Sequence, residues 1–96
     1  MNKSVYISGK ISGLPIVLAK SNFGRIEKKL LKLGYKPVNP FELPFKCNNW
    51  YFRMAICLIA LTFCKYVYFM RNWEDSRGAR IEYKWAKFLG KEIIGL

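Results

Sequence analysis

Within this 96-residue chain, the densest concentration of chemically useful side chains is Trp73-Glu74-Asp75-Ser76-Arg77-Gly78-Ala79-Arg80-Ile81-Glu82. Glu82 is the residue that calls for explanation. On a helix its neighbours at three and four positions are Gly78, Ala79, Trp85 and Ala86. None of these is basic, so ion pairing along a helix surface is closed to it. Gly78, Ala79 and Ala86 are also small, and a stripe of small residues lets a helix lie close to a sheet or a ligand. Glu82 is therefore expected to face a pocket mouth rather than open water. The plainer alternative is a solvated carboxylate favoured by the dipole near a helix N-terminus.

A second group of this kind is Ser8-Gly9-Lys10-Ile11-Ser12-Gly13. Its glycines let backbone approach a ligand, and Lys10 with the hydroxyls of Ser8 and Ser12 could hold a phosphate or carboxylate. A Gly-Pro turn carrying a surface lysine is the competing description. The third is Asn39, which either reaches a ligand with its amide or forms an Asn-Pro turn with Pro40.

These residues require elements to hold them. Ser4–Ser8 reads as a strand. Phe23, Ile26, Leu30 and Leu33 mark a helix within 16–33, capped by Gly34. Tyr35–Val38 is a short strand whose Pro37 assigns it to a sheet edge. Residues 42–49 form a loop, and Trp50–Phe63 is a helix apolar enough to be nearly enclosed. Tyr66–Met70 has the β-branched and aromatic content of a buried strand. A turn at Trp73, a helix ending at Leu89, a cap at Gly90 and a strand Glu92–Ile94 complete the alternation. Strand and helix alternating in this way give an α/β domain, a doubly wound parallel sheet of four strands in three α/β/α layers. Placing the first strand centrally gives the order 2-1-3-4, and the loop at Gly9 then faces the turn at Ser76 across one crevice at the carboxyl ends of the strands.

Composition narrows the partners. Seventeen Lys and Arg against 6 Asp and Glu give a formal charge of +11, which attracts nucleotides, nucleic acid or anionic membrane. The length fits one domain, residues 1–96, and 52% hydrophobic residues argue for a packed core. Cys47, Cys57 and Cys64 lack metal-ligand spacing and the chain has no His, so no metal is expected and the thiols are read as reduced. The apolar run Met54–Met70 is broken by Lys65 and is shorter than the roughly 20 residues of a membrane span. With no signal peptide read at Met1-Asn2-Lys3-Ser4, the expected compartment is cytoplasmic.

The segments Ser8–Pro15, Asn39-Pro40-Phe41 and Trp73–Glu82 together resemble a small-protein family of unknown function common in phages and bacteria. That family is similar in turn to nucleoside 2-deoxyribosyltransferases and to 2′-deoxynucleoside 5′-monophosphate N-glycosidases. The resemblance spans almost the whole chain and implies a flavodoxin- or Rossmann-like sheet. It further implies Glu82 as the nucleophile of a Gly-x-x-x-Glu segment that begins at Gly78, with Ser76 on a 5′-phosphate. Ser8, Gly9 and Lys10 become substrate contacts, and Asn39 or Trp73 touches base or sugar. No cofactor is implied. Neighbouring subunits complete the sites of such enzymes, which makes a homo-oligomer the expected state, with Trp50, Tyr51 and Tyr83 as interface candidates.

Two departures bear on activity. Cys57 stands where the enzymes carry an Asp that assists the leaving base, and Cys64-Lys65 and Arg71-Asn72 replace a usual Cys-Asp and Pro-Gly. A thiol with an unperturbed pKa near 8.5 is a poor substitute for a carboxylic acid, and general-acid help is worth roughly a hundredfold to ten-thousandfold. Three functions follow. The first is a nucleotide-directed N-glycosidase or deoxyribosyltransferase-like enzyme. The second is a catalytically degenerate binding protein that sequesters a nucleotide or ADP-ribose-type immune signal, as a phage anti-defence protein would. The third is a nucleic-acid binder using positive charge with Trp50, Tyr51 and Phe52.

Overall fold

The computed structural model describes residues 3–11, 13–43 and 49–95. Four strands, β1 (Ser4–Ser8), β2 (Lys36–Val38), β3 (Tyr66–Phe69) and β4 (Glu92–Ile94), alternate with three helices, α1 (Ile16–Lys32), α2 (Trp50–Thr62) and α3 (Arg77–Phe88). The sheet is parallel throughout, in the order β2-β1-β3-β4. This is the expected doubly wound arrangement, with Pro37 on the edge strand, where its missing N–H leaves no gap in the ladder.

Right-handed crossovers send α1 to one face of the sheet and α2 and α3 to the other. Two cores result. Val5, Ile7, Phe23, Leu30 and Met70 fill the α1 side, whereas Tyr6, Leu61, Cys64, Val67, Phe69 and Ala86 fill the other. The split follows the two-residue period of β1, which sends Val5 and Ile7 one way and Tyr6 and Ser8 the other.

Chain-local chemistry sets the element ends. Gly34 takes a left-handed φ of 89° just after α1, a conformation a residue with a Cβ adopts only at a cost. Asn49 opens α2 by accepting from the Tyr51 and Phe52 backbone N–H groups at 2.9 and 3.3 Å. Asn39 closes β2 with its Oδ1 on the Phe41 N–H at 3.0 Å. Between β3 and α3 the chain makes a short 3-10 turn, Trp73–Asp75, that the helical spacing of this region did not announce.

One expectation is overturned: α2 is not enclosed. Leu61 is its only buried residue among those described, and Tyr51, Phe52, Ile59 and Phe63 are exposed. The helix packs on β1 and the core through Leu61, Cys57 and Ala60 and on α3, where Trp85 Nε1 donates to Thr62 Oγ1 at 3.0 Å; just past α3, Lys91 Nζ donates to the Thr62 carbonyl at 2.7 Å. Phe88, at the end of α3, is also 79% exposed. The face of α3 that meets the sheet is the small-residue stripe Ala79, Glu82 and Ala86.

Candidate active site

Ala79 and Ala86 are essentially inaccessible and flank Glu82 on α3. Because neither carries more than a methyl group, the helix approaches the sheet closely enough for Glu82 to reach the side chains of β1. Tyr6 donates its phenolic O–H to Glu82 Oε2 at 2.5 Å, and Ser8 donates its hydroxyl to Oε1 at 2.7 Å. Both hydroxyls project from β1 toward α3 because they lie two residues apart. Burial pushes the Glu82 carboxyl up to about 7, although the two hydrogen bonds favour its charged form and hold it lower than burial alone would. Near neutral pH, Glu82 is thus divided between carboxylate and acid.

Above this carboxylate a cavity of about 390 Å3 opens at the carboxyl ends of the strands, a size typical of small-molecule sites. Ile11, Phe23, Pro40 and Phe41 make an apolar wall, with Phe23 and Phe41 packed edge to face at 5.3 Å. Trp50, Arg53, Met54 and Cys57 of α2 make the opposite wall. Asp75, Ser76, Arg77 and Gly78, at the N-terminus of α3, close the third side. Ser76 caps that helix by accepting from the Ala79 N–H at 3.2 Å. The Arg77 guanidinium lies 4.5 Å from the centre of the Trp50 ring, linking two walls by a cation–π contact.

Cys57 sits beside the Tyr6 hydroxyl. Burial, reinforced by the charge of Glu82, pushes its thiol up to about 11 against the opposing influences of Tyr6 and Arg53. The Tyr6 phenol is raised well above its ordinary value by burial first and by Glu82 second. Both groups stay protonated at neutral pH, leaving Glu82 as the titrating member of the trio.

The cavity brings together Glu82, Gly9, Ser76 and Gly78 of the residues expected from sequence. Ser8 lies beneath Glu82 with its hydroxyl engaged there. Lys10 donates its backbone N–H to Asn72 Oδ1 at 3.0 Å, outside the lining. Asn39 is buried, and its amide Nδ2 donates to Glu27 Oε1 at 3.4 Å rather than reaching the cavity. Trp73 stacks on Tyr83 at 4.6 Å and packs on Phe69, so it braces α3 against β3 away from the lining. Ser12 and Cys47 lie outside the described residues. Of the interface candidates, Tyr51 is exposed, whereas Trp50 lines the cavity and Tyr83 is half-buried against Trp73.

Gly9 is required by close packing. A Cβ built on it would come within 2.6 Å of Met70 Sδ and 3.1 Å of Met70 Cβ. Tyr6 and Arg53 line the cavity though the sequence reading passed over them, and Asp75 and Arg77 line it though the reading gave them no role within their stretch. Tyr6 had one usable signal, its two-residue offset from Ser8 in β1. Arg53 was the lone cation of an apolar helix.

The chain belongs to the family described as "Domain of unknown function (DUF4406)", whose profile matches residues 3–95. Among solved structures it is similar to a 2-desoxiribosyltransferase from Leishmania mexicana, with 17% identity and a TM-score of 0.74. The match covers 96% of this chain and 62% of that one, so the chain spans less than two thirds of that relative's length. At this identity the likeness is one of fold. No curated protein matches the sequence.

Proposed function

We propose that the protein is a nucleotide-directed N-glycosidase of the deoxyribosyltransferase type, acting on a (deoxy)nucleoside monophosphate-like substrate with Glu82 as nucleophile. The observation that carries this reading is a buried carboxylate at the cavity floor, aimed by Tyr6 and Ser8. Arg53, Arg77, the Ser76 hydroxyl and the α3 N-terminus supply donors for a phosphate, and the wall of Phe23 and Phe41 offers an apolar surface to the base.

In the first step a Glu82 carboxylate oxygen attacks the anomeric carbon and forms a glycosyl ester. The C–N bond breaks, its electron pair leaves with the base, and the base takes a proton. Water then attacks the same carbon, the ester C–O bond breaks, Glu82 leaves as carboxylate, and the proton of the water passes to solvent. The products are free base and sugar phosphate. With the Cys57 thiol pushed up to about 11 and standing where a carboxylic acid would be expected, the departing base receives little general-acid help, so it takes its proton from solvent after the C–N bond has broken and turnover is slow. The exposed apolar residues Tyr51 and Ile59 of α2 and Phe63 just after it support a homo-oligomer that covers this helix.

Cys57 also favours a second reading, a pocket that holds a nucleotide or ADP-ribose-type signal without cleaving it. In its half-protonated state Glu82 would donate to a sugar hydroxyl. Incubation with deoxynucleoside monophosphates, cyclic ADP-ribose isomers and cyclic dinucleotides, followed by chromatography before and after heat denaturation, separates the two. Free base before heating supports the enzyme; intact ligand that leaves solution and returns on heating supports the binder. If every compound stays unchanged and free in solution, both fail.

A further inference from the structure

On the opposite face of the sheet, α1 packs over β1 and β2, and β3 and β4 present the half-buried side chains of Tyr66, Tyr68 and Ile94 beside it. A groove of about 510 Å3 runs between helix and sheet, separate from the Glu82 cavity. Asn22, Arg25 and Lys29 line it from α1, and Tyr68, Arg71 and Asn72 line it from the sheet side. None of the described lining residues is acidic. Arg25, Lys29 and Arg71 are all exposed at its rim.

Two features separate this arrangement from a scatter of solvated lysines. The first is direction. Arg25 and Lys29 stand one helical turn apart, and the row continues through exposed Lys28 and Lys32, so the cations extend roughly 10 Å along the helix beyond a single anion's reach. The second is interleaving with aromatic rings. Lys29 Nζ lies 5.9 Å from the centre of the Tyr68 ring in the groove, and beyond the lining, at the start of β3, Lys65 Nζ lies 5.4 Å from that of Tyr66. A groove of one sign, a cationic row that outruns it and a tyrosine ring set beside those cations match a polyanion whose phosphates repeat and whose bases can be laid against tyrosine. A free nucleotide would use only the cluster at Arg25, Lys29 and Arg71 and leave the row idle. A base paired in a duplex could not reach Tyr68 between helix and sheet.

We propose that this groove binds single-stranded nucleic acid, with successive phosphates on Arg71, Arg25 and Lys29 and a base against Tyr68. The site is independent of the reaction at Glu82.

The test is fluorescence anisotropy of a labelled oligodeoxythymidylate with the full chain, titrated across a range of salt. The triple variant Arg25→Ala/Lys29→Ala/Arg71→Ala should bind about fiftyfold more weakly near physiological salt, and its log–log salt slope should be shallower by about 2. Arg71→Ala alone, at an exposed position, should flatten the slope by about 0.7. A control of equal charge, Lys20→Ala/Lys84→Ala/Lys87→Ala, removes exposed cations that do not line the groove and should bind within about threefold of wild type. Glu82→Gln should bind like wild type. Equal losses in the two triple variants would reduce the binding to general attraction by a +11 protein and overturn the proposal. So would loss of binding in Glu82→Gln, or displacement of the oligonucleotide by a nucleoside triphosphate at equal phosphate concentration.

Discussion

Replacing Glu82 by Gln should stabilise the protein by about 3 kcal/mol at pH 8 and by less than about 1 kcal/mol at pH 5. The carboxyl titrates at about 7 in the folded protein against a reference value of 4.5. Between those values the folded state holds a proton that the unfolded chain has released, so stability falls as pH rises through this window. The cost is absent below the unfolded pKa and complete above the folded one. At 1.36 kcal/mol per pKa unit it amounts to about 3 kcal/mol, a shift in Tm of roughly 12–24 °C for a domain of this size. Gln keeps the shape and never ionises, and the Tyr6 and Ser8 hydroxyls can turn to accept from its amide as readily as they donate. Subtracting wild type from variant at each pH cancels every group the two share, and both Cys57 and Tyr6 titrate above the window. Thermal melts of the two proteins from pH 5 to 8 would supply the difference curve. A difference that does not grow with pH would refute the idea that Glu82 is an ionised group held in the protein against the cost of burial.

Tyr6→Phe removes a hydrogen bond to the charged form of Glu82, so the carboxyl should titrate higher still and the rising limb of the pH–rate profile should move to higher pH, as measured by base release. Gly9→Ala forces the buried Met70 side chain to shift and should cost about 1–3 kcal/mol, read as a lower urea midpoint with an unchanged m-value. Ser76→Ala removes the N-cap of α3 and should cost about 1 kcal/mol, with a further loss of affinity for phosphate-bearing ligands in equilibrium binding.

The elements of this fold were legible because their signals are local. The run Tyr66–Phe69, the apolar spacing from Phe23 to Leu30 and the glycines at 34 and 90 each act over a few residues, and crossover chirality then leaves little choice of strand order. Glu82 stood out for a related reason: its small, uncharged helical neighbours gave it no local partner. What could not be read was partnership at long range. Ser8 bonds a carboxylate 74 residues away, and Asn39 and Trp73 look like ligand contacts until Glu27, Phe41, Phe69 and Tyr83 are brought beside them. The enclosure expected of α2 failed because apolar composition fixes how much surface a helix seeks to cover and leaves open whether this chain or another covers it. Tyr6 went unread since an aromatic residue in a buried strand resembles ordinary core, and only its register with Ser8 turns it toward Glu82.

The most direct test of the central claim is the rate of free-base release from a deoxynucleoside monophosphate, measured against pH for wild type and Glu82→Gln. Nucleophilic attack requires the ionised carboxylate, so the wild-type rate should climb with pH through about 7 while Glu82→Gln releases no base at any pH and keeps its fold. Base release by Glu82→Gln at the wild-type rate would contradict the account.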